Sequence, residues 1–190
     1  MFKIIVLSLS LVSFVFADSL VSKNAGLNKA LVLFHKAQRG VEDDVLKALE
    51  NFKEIQNSST KNAYVGSLTT MLARHTYLPW KKLSYVKEGS KLLDNSIRIE
   101  PNSIDIRLTR FYTYLNMPDF LKKEPFLQED VRSLLKFFKS GKNPKMVNNQ
   151  LLEAIVQFFH KYENSKKRDV YLNQITDEKI KQKLLLKING

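Results

Sequence analysis

Apolar residues return at helical spacing through most of the chain. Leu27, Ala30, Leu31, Phe34 and Ala37 form one such stripe, which Arg39-Gly40 closes. Val45, Ala48, Leu49, Phe52 and Ile55 repeat it after the acidic start Glu42-Asp43-Asp44, a charge placement that suits the positive end of a helix dipole. These two segments predict an antiparallel helix pair. The polar cluster from Asn57 to Asn62 breaks the chain before a third stripe of Tyr64, Val65, Leu68, Met71, Leu72 and His75. Pro79 interrupts, and Leu83, Val86, Leu93 and Ile97 predict a fourth helix. The cleanest stripe follows Pro101, with Asn102 placed to cap it and Asp105 three residues on. There Ile104, Leu108, Phe111 and Leu115 stand at i, i+4, i+7 and i+11. After a connection holding Pro118 and Pro125, Val131, Leu134, Leu135 and Phe138 predict a sixth helix. Val147, Leu151, Ile155 and Phe158 predict a seventh, and Thr176 can cap a last one carrying Ile180, Leu184 and Leu185. No segment sustains the two-residue alternation of a strand, so the expected fold is all-α with about seven or eight helices.

Small residues at fixed spacing raise the question of repeats. Tetratricopeptide units place a small residue where two helices touch, an apolar residue a turn later and a proline between units. Gly89, Leu93 and Pro101 fall at that spacing, Ser96 at another close-packing position, and Gly66 at the small position of the preceding helix. The stretch from Lys87 to Leu115 therefore resembles the end of one tetratricopeptide unit and the first helix of the next. The interval from Gly66 to Gly89 is longer than one unit allows, which makes Thr76 to Ser84 an expected inserted loop. The string Gly66, Pro101, Arg107, Arg110, Asn116, Pro118, Phe120 and Asp130 also resembles an uncharacterised group of exported bacterial helical-repeat proteins. What the resemblance implies is a stack of antiparallel helix pairs, with no chemistry attached. An irregular helical bundle is the alternative.

The N-terminal stretch has a different pattern. Met1 to Ala17 carries one positive charge at Lys3, then an apolar-and-serine run from Ile4 to Phe16, then Val15-Phe16-Ala17 before polar Asp18. This is the layout of a secretory signal peptide, with small side chains at the minus-three and minus-one positions of a cut after Ala17. Ile4 to Phe16 falls short of the roughly 20 residues a membrane-spanning helix needs. The expected organisation is a signal peptide over residues 1–17 and a single all-α domain over 18–190. The product is expected outside the cytoplasm, in the periplasm of a bacterium or, alternatively, secreted.

Composition narrows the chemistry. The 190 residues hold no Cys, which removes thiolate metal sites and thiol nucleophiles, and their apolar content is ample for a core. Lys and Arg outnumber Asp and Glu, 31 to 19, for a formal charge of +12; loss of Lys3 with the signal segment lowers it by one. Runs such as Lys136, Lys139, Lys142 and Lys145, or Lys161, Lys166, Lys167 and Arg168, favour anionic partners or simply coat the surface. Export argues against nucleic acid as a partner; acidic envelope proteins, acidic polymers and anionic membrane surfaces fit better. His35, His75 and His160 lie on three separate predicted helices with no ligand-pair spacing, and there is neither a nucleophile elbow nor a phosphate-cradling glycine loop. No catalytic set, metal or cofactor is therefore expected. Glu42, Asp43 and Asp44 read as a solvated helix start, and Glu129-Asp130 before Val131 reads the same way.

Two groups stand out as candidate binding residues. Arg107, Arg110, Tyr114 and Asn116 belong to the fifth predicted helix, where Arg107 and Tyr114 flank the apolar stripe. A guanidinium beside a core stripe needs a carboxylate or carbonyl partner. Either Asp94 or Asp130 supplies that partner internally, or the arginines form an anion-recognising patch on a concave helical surface. The second group is Tyr77, Trp80, Lys81 and Lys82, with Leu78 and Tyr85, in the expected inserted loop. It reads either as a binding loop with an aromatic anchor or as a plug between the third and fourth helices.

The function these features support is a non-enzymatic, exported protein-interaction module or scaffold with an acidic partner. One alternative is an enzyme acting on envelope polymer through Glu153 or Asp130, and another is a peripheral protein held on an anionic membrane by its lysines. The signal-peptide reading has a direct check: the protein recovered from its native host should have an intact mass lacking residues 1–17. Recovery of an uncut chain embedded in the membrane would refute it.

Overall fold

A computed structural model describes residues 25–162 and 164–189. The expected signal segment and its cleavage site lie outside the described residues. Within them the chain is all-α: α1 (Ala25–Ala37), α2 (Glu42–Lys53), α3 (Ser59–Leu72), α4 (Pro79–Ile99), α5 (Ile104–Leu115), α6 (Glu124–Lys139), α7 (Lys145–Lys161), α8 (Ser165–Leu172) and α9 (Glu178–Asn189). A single 3-10 turn covers Asp119–Leu121. No helix among the described residues is long and apolar enough to cross a membrane. The helices fall into two compact units, divided within α4 between Asn95 and Ser96.

In the first unit the three leading stripes meet as the sequence implies. Ala30, Phe34 and Ala37 of α1 pack with Val45, Ala48 and Phe52 of α2 and with Tyr64 and Leu68 of α3. The Tyr64 ring stands edge-on to Phe34 at 4.7 Å and stacks on Phe52 at 5.6 Å. Gly40 closes the α1–α2 connection at φ +84°, a left-handed conformation that a side chain would strain. Asp44 departs from the solvated helix start expected of it: it is buried, and its carboxylate meets Lys36 at 2.9 Å and Arg39 at 3.8 Å. Ser58 caps α3 by accepting from the Lys61 backbone N–H, so the polar cluster from Asn57 to Asn62 contains a helix start rather than only a break.

Where α3 meets α4, two glycines let the backbones approach. A Cβ built on Gly66 would lie 2.7 Å from the Gly89 carbonyl oxygen and 3.0 Å from the Leu92 Cβ, and one on Gly89 would strike the Gly66 carbonyl and Thr70. Of the expected loop from Thr76 to Ser84, Thr76 to Leu78 do lie outside a helix, and Pro79 to Ser84 are helical. Pro79 occupies the first position of α4, where its missing N–H costs nothing, and the helix runs unbroken for 21 residues.

The second unit is organised around α7, which is buried from Asn149 to Phe159. It packs against α5, α6, α8 and α9. Ile106, Leu108, Phe111 and Tyr114 of α5 and Leu127, Val131 and Leu134 of α6 supply the facing apolar surface. α5 is capped by Ser103, which accepts from Ile106 N–H, and not by Asn102. α6 starts earlier than its apolar stripe suggests, because Pro125 fits within a first helical turn. Thr176 does not cap α9. Its backbone N–H donates to Asn149 Oδ1 at 2.9 Å, and Asp177 accepts from Ile180 N–H instead. The short helix α8, with only Leu172 buried, has no stripe of its own to announce it.

The glycine pair generates a test. Alanine is favoured over glycine within a helix by about 1 kcal/mol, but overpacking costs about 1–3 kcal/mol, and at Gly89 the obstruction includes backbone. Gly89→Ala should therefore lower the melting temperature, and a rise in thermal unfolding experiments would deny the close approach of α3 and α4.

Candidate functional site

The first candidate group is an internal network. Arg107 and Arg110 sit one turn apart on α5 and both are buried, while Asp130, in the second turn of α6, has 0% exposure. Arg107 Nη1 donates to Asp130 Oδ1 at 2.9 Å and its Nε donates to the Pro101 carbonyl at 2.7 Å. Arg110 grips the same carboxylate with both prongs, Nε to Oδ2 at 3.0 Å and Nη2 to Oδ1 at 2.7 Å. Glu129, with its side chain 44% exposed, accepts from Arg107 at 3.3 Å and from Arg110 at 2.7 Å. Neither residue of the Glu129-Asp130 pair is the solvated helix start expected from sequence. α6 begins at Glu124, which carries this pair inward and onto α5.

The electrostatics follow from this burial. Desolvation works to lower the Arg110 guanidinium, but the hydrogen bonds and charges of Asp130 and Glu129 outweigh it and hold the group above its ordinary range. Burial raises the Asp130 carboxyl by more than Arg110 and Arg107 lower it. For Glu129 burial is outweighed by Arg110, and its carboxyl lies below the usual value. The two cations are committed to two carboxylates, a carbonyl and a ring: Arg110 Cζ lies 5.4 Å from the centre of Phe126. Tyr114 is buried edge-on to that ring at 5.6 Å, with Lys123 Nζ over its own face at 4.4 Å. Asn116 turns back to donate to the Tyr112 carbonyl at 2.6 Å, closing the end of α5. Arg107, Arg110 and Tyr114 serve the packing of α5 on α6, with Asp130 as a carboxylate partner of both arginines, and Asn116 closes the end of α5.

A second polar stripe, of which the sequence singles out only Glu153, lies on α7. Gln150, Glu153 and Gln157 lie at i, i+3 and i+7 on α7 and all are buried. Lys183 of α9 reaches Glu153 at 3.5 Å, and Lys187 donates to Gln157 Oε1 at 2.8 Å. Burial raises the Glu153 carboxyl against the pull of Lys183, and burial followed by the Glu153 charge raises the Tyr112 phenol well above its ordinary value. Both ends of the Gln150 amide are enclosed with no hydrogen-bond partner. Only the repeat of a polar type at helical spacing could have pointed to this stripe. Among the described residues no three His, Asp or Glu side chains converge as a metal site.

The second candidate group is open to solvent. Tyr77 is 98% exposed and Trp80 is 68% exposed; Leu78, Lys81, Lys82, Leu83 and Ser84 are exposed as well. They occupy the approach to α4 and its first turns, so Trp80 neither belongs to a loop nor plugs a gap between helices. Tyr85 and Val86 begin the packed part of the helix, and the Lys81 ammonium sits 5.8 Å from the Tyr85 ring centre. Arg107, Arg110, Tyr114 and Asn116 belong to the second unit and Tyr77 to Lys82 to the first.

Substitution separates the two groups. Removing one member of a buried ion pair costs about 3–5 kcal/mol, so Asp130→Ala, or Arg107→Ala with Arg110→Ala, should markedly lower the melting temperature. Trp80→Ala should leave it nearly unchanged, because most of the indole is already in water. Calorimetry of the three proteins checks this, and an unaltered Asp130→Ala midpoint would refute the network. No protein-family model, curated protein or solved structure matches the chain.

Proposed function

We propose that the protein is an exported, non-enzymatic helical-repeat binding module of the bacterial cell envelope, a scaffold element that docks on an anionic partner. The observation that carries this reading is the exposed start of α4. Tyr77, Leu78, Trp80 and Leu83 are exposed side by side with Lys81 and Lys82 on a regular helix and its approach. Exposed aromatic anchors combined with long-range positive charge are the ordinary means by which a surface recognises an anionic partner. The tetratricopeptide-like architecture is supported by the close approach of Gly66 and Gly89 and by the packing of α1 on α2, α2 on α3, α5 on α6 and α6 on α7. Export is supported by the N-terminal sequence pattern.

The buried carboxylates favour binding over catalysis. Asp130 is saturated by two arginines, and Glu153 is enclosed between α7 and α9, so each is held by the fold in a place a polymer substrate does not reach. Arg107 and Arg110 carry structure, and the docking role passes to Tyr77, Trp80, Lys81 and Lys82.

Sedimentation with isolated envelopes of the native host tests the reading. The wild-type protein should be retained, and retention should fall as salt rises above about 0.1 M, where charges are screened beyond about 10 Å. Trp80→Ala and the double change Lys81→Glu, Lys82→Glu should each release it with the melting temperature intact. Retention that ignores both changes would overturn the proposal.

A further inference from the structure

The start of α4 also says what kind of anionic partner it meets. A helix that docks in a protein groove presents one apolar face, with anchors recurring at i, i+3, i+4 and i+7. Trp80 has Leu83 at i+3 but no continuation beyond it: Ser84 at i+4, Lys87 at i+7 and Lys91 at i+11 are all exposed and polar. The apolar and basic residues instead ring the helix tip. Trp80, Lys81, Lys82 and Leu83 follow one another at about 100° each around the axis, and all four are exposed. Tyr77 and Leu78 extend the same tip on the N-terminal side of Pro79. Leu83 therefore comes within about 60° of Trp80, and Lys81 and Lys82 flank this short apolar edge, which matches an interface that is apolar below and anionic above.

An anionic bilayer surface offers both layers at once, whereas a protein groove takes a helix whose apolar face continues over several turns. Trp and Tyr partition to the headgroup level of membranes because their rings are amphipathic. Lysine stems lie along apolar surface while their ammonium groups remain at the phosphates. Residues 81–91 hold four lysines against one glutamate, Glu88, whose carboxylate already accepts from Ser84 at 2.7 Å. With no membrane-crossing helix among the described residues, the contact made by this tip is peripheral.

We infer that the Tyr77–Leu83 tip of α4 inserts at the headgroup level of an anionic lipid bilayer, with Trp80 as the anchor and Lys81 and Lys82 at the phosphates. This rests on the docking role proposed above and names its partner as the lipid surface itself. Each lysine near such a surface adds a modest attraction, so two reversed together weaken binding by about tenfold or more.

Trp80 is the only tryptophan in the chain, so intrinsic fluorescence reports on this tip alone. The probe is a protein-free vesicle made of equal parts phosphatidylglycerol and phosphatidylcholine, compared with one of phosphatidylcholine only. Both the full chain and the chain begun at Asp18 are used, so that the apolar run from Ile4 to Phe16 cannot supply the binding. The expected result is a blue shift of Trp80 emission, and quenching by brominated acyl chains, on the anionic vesicles only. Lys81→Glu with Lys82→Glu should weaken this about tenfold, and added salt should reverse it. Vesicles that leave the emission unchanged, while native envelopes still retain the protein through Trp80, would overturn the lipid assignment and point to an envelope protein. Equal binding to both vesicles would overturn the role of the lysines. A concentration-dependent blue shift without lipid would overturn it in favour of a second copy covering the tip. Loss of both vesicle and envelope binding would remove the docking role as well.

Discussion

Two arginines one turn apart on a helix whose neighbouring face is core create the constraint on which the second unit depends. Neither guanidinium can lose its charge, and a buried cation without a partner costs several kcal/mol. Asp130 meets both, with no exposure of its own, and Glu129 closes the network at the surface. That requirement fixes how α6 is rotated and shifted along α5, since one carboxylate must face both arginines at hydrogen-bond distance. Once α5 and α6 are registered, their apolar residues form the seat against which α7 is buried. Whole domains are stable by only about 5–15 kcal/mol, so a network of this kind can decide whether the unit folds.

α7 shows a similar device in a weaker form. Its buried stretch carries Asn149, Gln150, Glu153 and Gln157 among the apolar residues. Asn149 holds the chain entering α9 through Thr176, while Glu153 and Gln157 engage Lys183 and Lys187. Polar pairs inside a contact add little net stability compared with apolar packing, yet they penalise any register that leaves them unmatched. The lysines that a charge count assigns to the surface therefore do two jobs. Lys161, for example, donates to the Leu115 carbonyl and pairs with Asp119 at 3.0 Å.

Against this background the start of α4 is an exception. Most of the large aromatic and aliphatic side chains on the other stripes are enclosed, including Phe34, Phe52, Phe111, Tyr114, Phe158 and Phe159. Tyr77, Leu78, Trp80 and Leu83 lie together in water with lysines between them. Exposing this much apolar surface in one place has a cost in solubility, and a covering partner removes it. The same helix is fixed further along by the Gly66–Gly89 contact, so the tip is presented on a rigid element.

The sequence by itself determined the helices whose information is local. The stripes of Leu27 to Ala37, Val45 to Ile55 and Ile104 to Leu115 specify both the helix and its buried face, because helical period depends only on residues a turn apart. Proline and glycine at Pro101, Gly40 and Gly66 likewise marked connections and close contacts through their own geometry. The choice of Ser103 over Asn102, the helical state of Pro79–Ser84 within an expected loop, and the short α8 were less legible, since neighbouring caps and marginal helices differ by small energies that tertiary contacts settle. Only the tertiary structure decided that Asp130, 23 and 20 residues from Arg107 and Arg110, meets both of them. It also decided that Trp80 faces water, because the exposure of a side chain depends on which distant helices arrive beside it, and that information is not periodic in the chain.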